Sequence, residues 1–363
     1  MKNNLPRRML NKIPHFGLLL SVLCLLTILC FVFPEYLTTP AIRSNYPIPL
    51  IREVMYWALM IATATTIYSA LFSQQRKLAF ASMAILVACA FLGGSQVHQK
   101  PEYDTFIIQI GLDWFVLDLV ILAIVFIPLE AFFPHLKDQK IVRQETRTDL
   151  VYFAVGHMGF QFIMLLTQKP ADEWLELLRL SGQQSFLAEL PLLVQVVIAL
   201  FVADLTQYWI HRRFHTSSKL WRFHEIHHSI KTMDWLAGSR LHLVDILFVR
   251  LPVYTMVMYL GLAPEAVIGY ILLMAFHTVF IHANVGISFG WLAYIIATPQ
   301  YHHWHHNDQP ETYNKNFAVH FPVIDMLFGT FYLPKGRWPE QYGVTDLPYS
   351  NSYWSQFIGP FKK

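Results

Sequence analysis

The strongest constraint on this chain is a series of apolar runs, each near the twenty residues needed to span about 30 Å of hydrocarbon. They are Phe16–Phe33, Met55–Phe72, Leu78–Val97, Leu112–Phe133, Leu150–Leu166, Leu192–Ile210, Leu243–Leu260 and Glu265–Val285. Only 14% of the residues are charged, against about 25% in an ordinary soluble domain. The mean hydropathy of +0.38 agrees. The expected fold class is therefore all-α: a polytopic transmembrane helical bundle.

The charges between the runs set a topology. Lys2, Arg7, Arg8 and Lys12 precede the first run, which is longer than a signal-peptide core and lacks a small-residue cleavage site, so it reads as a retained anchor. With that basic flank inside, Arg76, Lys77 and the basic stretch of residues 137–147 also fall on the cytoplasmic side. The net charge of +3 is small and dispersed, and no nucleic-acid motif is present. Cys24, Cys30 and Cys89 lie inside apolar runs, which excludes a disulfide framework and a thiolate metal site. The polar stretch Gln139–Arg147 is the best candidate boundary between an N-terminal membrane region and the region that carries chemistry. Gln168–Gln184 reads as a loop with a short amphipathic helix at the opposite surface. Gly261-Leu262-Ala263-Pro264 reads as a tight turn between the last two runs.

Chemistry concentrates in Asp204–His228 and Tyr301–His306, which hold nine of the seventeen histidines. His211 and His215 stand four apart, on one helix face with Cβ atoms about 5–6 Å apart, close enough to share a metal. His224, His227 and His228 follow at i, i+3 and i+4, and His302, His305 and His306 repeat that spacing. A lone histidine on an apolar face is usually a hydrogen-bonded core residue. Three groups at ligand spacing are not explained that way, and eight imidazoles exceed the four ligands of a structural zinc site. The pattern points to two metals, or one metal with a relay, on the same cytoplasmic side as the basic loops.

Other residues join with less force. His277 and His282 stand five apart, about 140° round a helix, so only one can face a metal squarely; His282, near the end of its run, is the candidate. His242 is a weaker neighbour. His303 and His320 read as bystanders, and His15, His98, His135 and His157 as interface or packing residues. Asp204 lies inside an apolar run, where an unpaired carboxylate would cost about 2.5–3.5 kcal/mol, so it needs a partner. Either it orients a ligating histidine or it makes an ordinary interhelical hydrogen bond.

His211-x-x-x-His215, His224-x-x-His227-His228 and His302-x-x-His305-His306 together resemble the three histidine boxes of the fatty acid hydroxylase/sterol desaturase superfamily. The resemblance extends to the Asp204 run, to Asn316-Phe317 and to Asp325-Met-Leu-Phe-Gly-Thr. It implies three regions: an N-terminal membrane region of about four spans over 1–127, a catalytic domain over 128–333 and a tail over 334–363. It also implies a membrane-embedded di-iron oxygenase that uses O2 and two external electrons to hydroxylate or desaturate a lipid, such as a fatty acyl group, an ether lipid or a sterol.

On this resemblance the eight box histidines are metal ligands, and His282 occupies a position often held by a further histidine. Asp204, His242, His277, Asn316 and Asp325 are candidates for orienting the ligands. The cofactor expected is a pair of iron ions, with zinc able to replace them after purification. No haem- or flavin-binding segment is visible, so electrons are expected from a separate ferredoxin or small haem protein. Arg212, Arg213, Lys219 and Arg222 are placed to face lipid phosphates or that donor.

Two readings compete. His224-Glu225-Ile226-His227-His228 also fits HExxH, a zinc-protease pattern with Glu225 as general base, but it leaves the other boxes unexplained. A non-enzymatic metal or haem carrier fits less well, because adjacent pairs such as His227-His228 suit a fixed cluster and no run shows a polar pathway across the membrane.

Overall fold

The computed structural model describes residues 13–39, 43, 45–98, 111–159, 186–345 and 347–362. The N-terminal basic flank and the amphipathic stretch expected at 168–184 lie outside them, as do residues 160–166 of the run expected at 150–166. Among the described residues the protein is helical, without β-strands and with two isolated bridges, Pro134 to Val285 and Asn307 to Tyr342.

The chain divides into two compact units, Met1–Leu117 and Asp118–Lys363. In the first, α1 (Ile13–Val32), α2 (Ile48–Phe72) and α3 (Arg76–Phe91) pack against one another. Small and hydroxyl side chains allow the close approach, as in membrane helix pairs generally. A Cβ on Gly17 would come within 2.8 Å of Thr65 Oγ1. Ser82 bridges Ser21 at 2.7 Å and Thr66 at 2.5 Å. Cys24 and Cys89 are buried in this core as free thiols. Asp113 accepts hydrogen bonds from the Thr39 amide and the Tyr46 hydroxyl.

Helix α4 (Leu112–Phe132) runs across the boundary between the units. The second unit contains α5 (Leu192–Thr216), α6 (Ser218–His228), α7 (Leu243–Tyr259), α8 (Pro264–His282), α9 (Pro299–His305) and α10 (Pro322–Leu327), with residues 146–159 also helical. α5 packs on both α7 and α8. Gly261, at φ 60°, and Pro264 at the start of α8 form the expected turn, each supplying the backbone conformation required there.

Among the described residues six helices are long and apolar enough to cross a membrane: Ile13–Val32, Ile48–Phe72, Arg76–Gln96, Leu112–Phe132, Leu192–Thr216 and Pro264–His282. α7, expected as a further span, has 17 residues and falls just short. Large apolar side chains cover the outer faces, including Phe91 at 87% and Phe72 at 73% exposure. In water such faces would aggregate; in lipid they are solvated, which fits a multi-pass membrane protein.

Candidate metal centre

α5 ends in His211 and His215. Ser217, in extended conformation, breaks the helix so that α6 starts at a new angle and delivers His224, His227 and His228. The end of α8 supplies His282. Thr298 caps α9 by accepting the Tyr301 amide at 3.3 Å, and α9 then presents His302, His305 and, just past its end, His306.

The nine histidines form two groups. His211, His215, His224, His228 and His305 make one; His227, His282, His302 and His306 make the other. Within each group the available ligand atoms lie within 4.8 Å of one another. The groups adjoin, with the His228 and His306 ring centres 4.5 Å apart. Consecutive residues therefore serve different groups: His227 and His228 diverge, as do His305 and His306.

The partners of the outer ring nitrogens fix the tautomers. Nδ1 of His211 donates to the Phe317 carbonyl at 2.8 Å, His227 to Arg240 at 3.1 Å, His282 to Thr278 at 2.7 Å and His305 to Lys315 at 2.7 Å. Nδ1 of His224 donates to the Asp245 carboxylate at 3.0 Å. A carbonyl or carboxylate accepts, so each of these rings carries its proton on Nδ1 and presents a bare lone pair at Nε2. Yet His211 Nε2 lies 3.0 Å from His224 Nε2, and His282 Nε2 lies 3.4 Å from His227 Nε2. Two lone pairs at such distances repel unless a cation lies between them. Nε2 of His215, His228 and His305 is also buried without a hydrogen-bond partner in the protein. The donor set fits a metal ion in each group.

Burial pushes the His224 imidazole down to about 3. It holds His227, His228, His302, His305 and His306 well below the usual histidine range, and neighbouring imidazoles add to the effect. At neutral pH these rings are uncharged, the state a metal requires.

The surroundings hold the ligands from behind. Asp325 accepts the Tyr301 hydroxyl at 2.5 Å, the Phe317 and Ala318 amides at 2.8 Å and the Thr330 hydroxyl at 2.7 Å. Asn316, at φ 57°, donates to the Tyr301 and Tyr332 carbonyls. Asp204 accepts the amides of Val319, His320 and Phe321 at 2.7–3.0 Å. Its partner is therefore backbone, and it reaches the ligands only through the segment that carries the Phe317 carbonyl. His277 donates through Nε2 to the Ala297 carbonyl and pairs through Nδ1 with His320, outside both groups. His242 caps α7 and donates to the Phe357 carbonyl, also outside them.

Sequence reasoning missed a second set of supports. Asp245, in LHLVD, is like Asp204 a carboxylate inside an apolar run, and that signal could have found it. Gly238 lies so close to His282 that a Cβ there would come within 2.7 Å of the ring. Its loop is anchored by a buried ion network: Arg143 pairs with Asp234 and Asp149, and Asp149 with Arg240. Arg143 thus ties part of the polar 139–147 stretch into the second unit. Glu130 accepts the amides of Trp235 and Asn284, joining the same loop to the end of α8.

A narrow cavity, ≈ 610 Å³ including its open mouth, lies between α5, α7 and α8 and reaches both histidine groups, touching His211, His224, His227, His282 and His302.

Apolar helices carrying two adjoining groups of neutral imidazoles define a class, that of helical membrane proteins with two histidine groups that could each hold a metal ion. Within that class, residues 196–330 match the family profile described as Fatty acid hydroxylase. The chain is 32% identical over 174 residues to an ornithine lipid hydroxylase, OlsE, of Rhizobium tropici, covering 48% of this chain and 52% of that protein. It is 30% identical over 148 residues to methylsterol monooxygenase 1-2 of Arabidopsis thaliana, covering 39% and 48%. With the human alkylglycerol monooxygenase it shares 29% over 133 residues, covering 35% and 28%. Over residues 196–330 the chain is thus similar to the fatty acid hydroxylase family. Its matches span about half, or less, of the length of these relatives. No solved structure gives a significant match.

Proposed function

We propose that the protein is an O2-dependent lipid oxygenase with two iron ions, one in each histidine group. His211, His215, His224, His228 and His305 hold one; His227, His282, His302 and His306 hold the other. The observation that carries this reading is the facing of bare Nε2 atoms across each group. Iron bound there supplies the activation of O2 needed to oxidise an unactivated C–H bond. In balance, R–H, O2, two electrons and two protons give R–OH and water, the electrons coming from a separate ferredoxin or small haem protein.

The chain's own residues position and exclude. The Phe317, Arg240, Thr278 and Lys315 carbonyls and the Asp245 carboxylate hold the imidazoles in one tautomer and orientation. Apolar cavity walls such as Ile246, Val249, Ile281 and Val319 keep water from an alkyl chain entering from the bilayer. Arg212, Arg213, Lys219 and Arg222, on the histidine-bearing side, form the docking face for an acidic donor, and we place that side in the cytoplasm. The substrate class is a lipid, as it is in the names of the three relatives.

The protease reading loses support in the geometry. Glu225 interacts with Tyr349 and belongs to neither histidine group. The test is to express the full chain in cells supplied with 18O2 and compare lipid extracts with and without it. One labelled oxygen in a lipid, absent for His227→Ala, is the expected result. Unchanged lipids together with cleavage of a membrane protein that depends on Glu225 would replace the oxygenase with the protease.

A further inference from the structure

The cavity beside the histidines holds one cation that no carboxylate among the described residues pairs with. Arg250, on α7, lines it, and its hydrogen-bond contact among the described residues is Nη1 to the Met274 sulfur at 2.9 Å. A thioether is a poor acceptor, and a guanidinium offers five N–H donors. Among the described residues no carboxylate lies within ion-pair distance of Arg250, in contrast to Arg143 and Arg240. Tyr270 and His320 are near enough to feel its charge, but neither carries a negative charge at neutral pH.

The other polar groups on the cavity wall sort into satisfied and free. The Thr278 hydroxyl donates to the Met274 carbonyl at 2.7 Å, and Asp245 accepts from His224 through Oδ1 while its Oδ2 has no hydrogen-bond partner among the described residues. Gln207 makes no hydrogen bond among the described residues, and it stands one turn before His211 on α5 with its side chain on the same cavity. A largely apolar cavity therefore holds a guanidinium and a carboxamide with unused donors beside the histidine groups. A half-buried cation without a protein partner in a membrane protein is costly and marks a functional position.

We propose that Arg250, assisted by Gln207, binds the carboxylate of an acidic lipid substrate. The inference rests on the lipid-oxygenase reading and narrows its substrate class. A carboxylate matches the planar fork of one guanidinium and its single charge, whereas a phosphate monoester would bring a second charge with no partner in the cavity. Arg250 lies five residues along α7 from Asp245, the support of His224, which is about 7.5 Å of helix. A carboxylate at Arg250 therefore brings the head-end carbons of the chain towards the histidines.

The experiment measures binding of palmitate, methyl palmitate and hexadecyl phosphate to the purified full chain in one detergent at pH 8. Wild type is expected to bind palmitate about tenfold or more tightly over methyl palmitate, the scale of a charge-assisted hydrogen-bonded pair. Arg250→Met should erase that preference while leaving methyl palmitate binding and metal content unchanged, and Arg250→Lys should keep part of it. The comparison between ligands in wild type needs no variant, so poor folding of Arg250→Met would not end the test. Equal binding of palmitate and its ester by wild type overturns the proposal, as does a preference that survives Arg250→Met. An Arg250-dependent preference for hexadecyl phosphate over palmitate overturns the carboxylate assignment. A carboxylate preference in a protein that holds no iron and labels no lipid would sink the oxygenase reading alone.

Discussion

Gly238 and Asp245 show how single residues outside the histidine motifs decide the geometry of the centre. A methyl group at 238 would strike the His282 ring at Nδ1 and Cγ, 2.7 and 2.8 Å away, where the ring is already held by the Thr278 carbonyl. Gly238→Ala is expected to tilt His282 away from His302 and lower metal content at the four-histidine group, leaving the five-histidine group loaded. Elemental analysis showing about half the wild-type metal would agree; full loading would mean that the loop yields instead. Asp245→Ala removes the acceptor that fixes the His224 tautomer. Loss of such a partner typically costs about 10–100-fold in metal affinity, which competition with a chelator would measure, and the loss should fall on the five-histidine group. Both residues act through neighbours distant in sequence, which is why motif spacing does not reveal them.

The elements of the centre are held together by carboxylates that bind backbone. Asp204 on α5 and Asp325 on α10 between them accept all five amides of residues 317–321, and so fix the segment that orients His211. Replacing either with Ala strands several buried N–H groups at about 1–3 kcal/mol each. Asp325→Ala should therefore lower the unfolding temperature of the purified protein sharply, while Asp325→Asn, which keeps an acceptor, should lower it less; equal effects would contradict the role assigned here. At this scale much was legible in the sequence. The apolar runs marked the helices, and spacings of three and four placed the histidines on shared faces because helical periodicity is local. The partition into five and four was not legible, since it depends on the angle at Ser217 and on how α9 crosses α6. Arg143, Asp149, Asp234 and Arg240 were equally hidden, because charges buried in pairs look like surface charges until the segments are packed.

On the scale of the whole molecule, the nine histidines and every group that orients them lie in the second unit, Asp118–Lys363. A chain starting at Gly111 is expected to retain the metal content of the full protein, and loss of metal on that truncation would show that the first unit supports the centre. The proposed function requires one iron in each histidine group. Elemental analysis of the detergent-purified full chain from iron-supplemented cells, with His227→Ala alongside, tests it most directly. About two irons per chain in wild type and loss of iron in the variant are expected; one zinc per chain, unaffected by His302→Ala or His305→Ala, would rule out a di-iron centre.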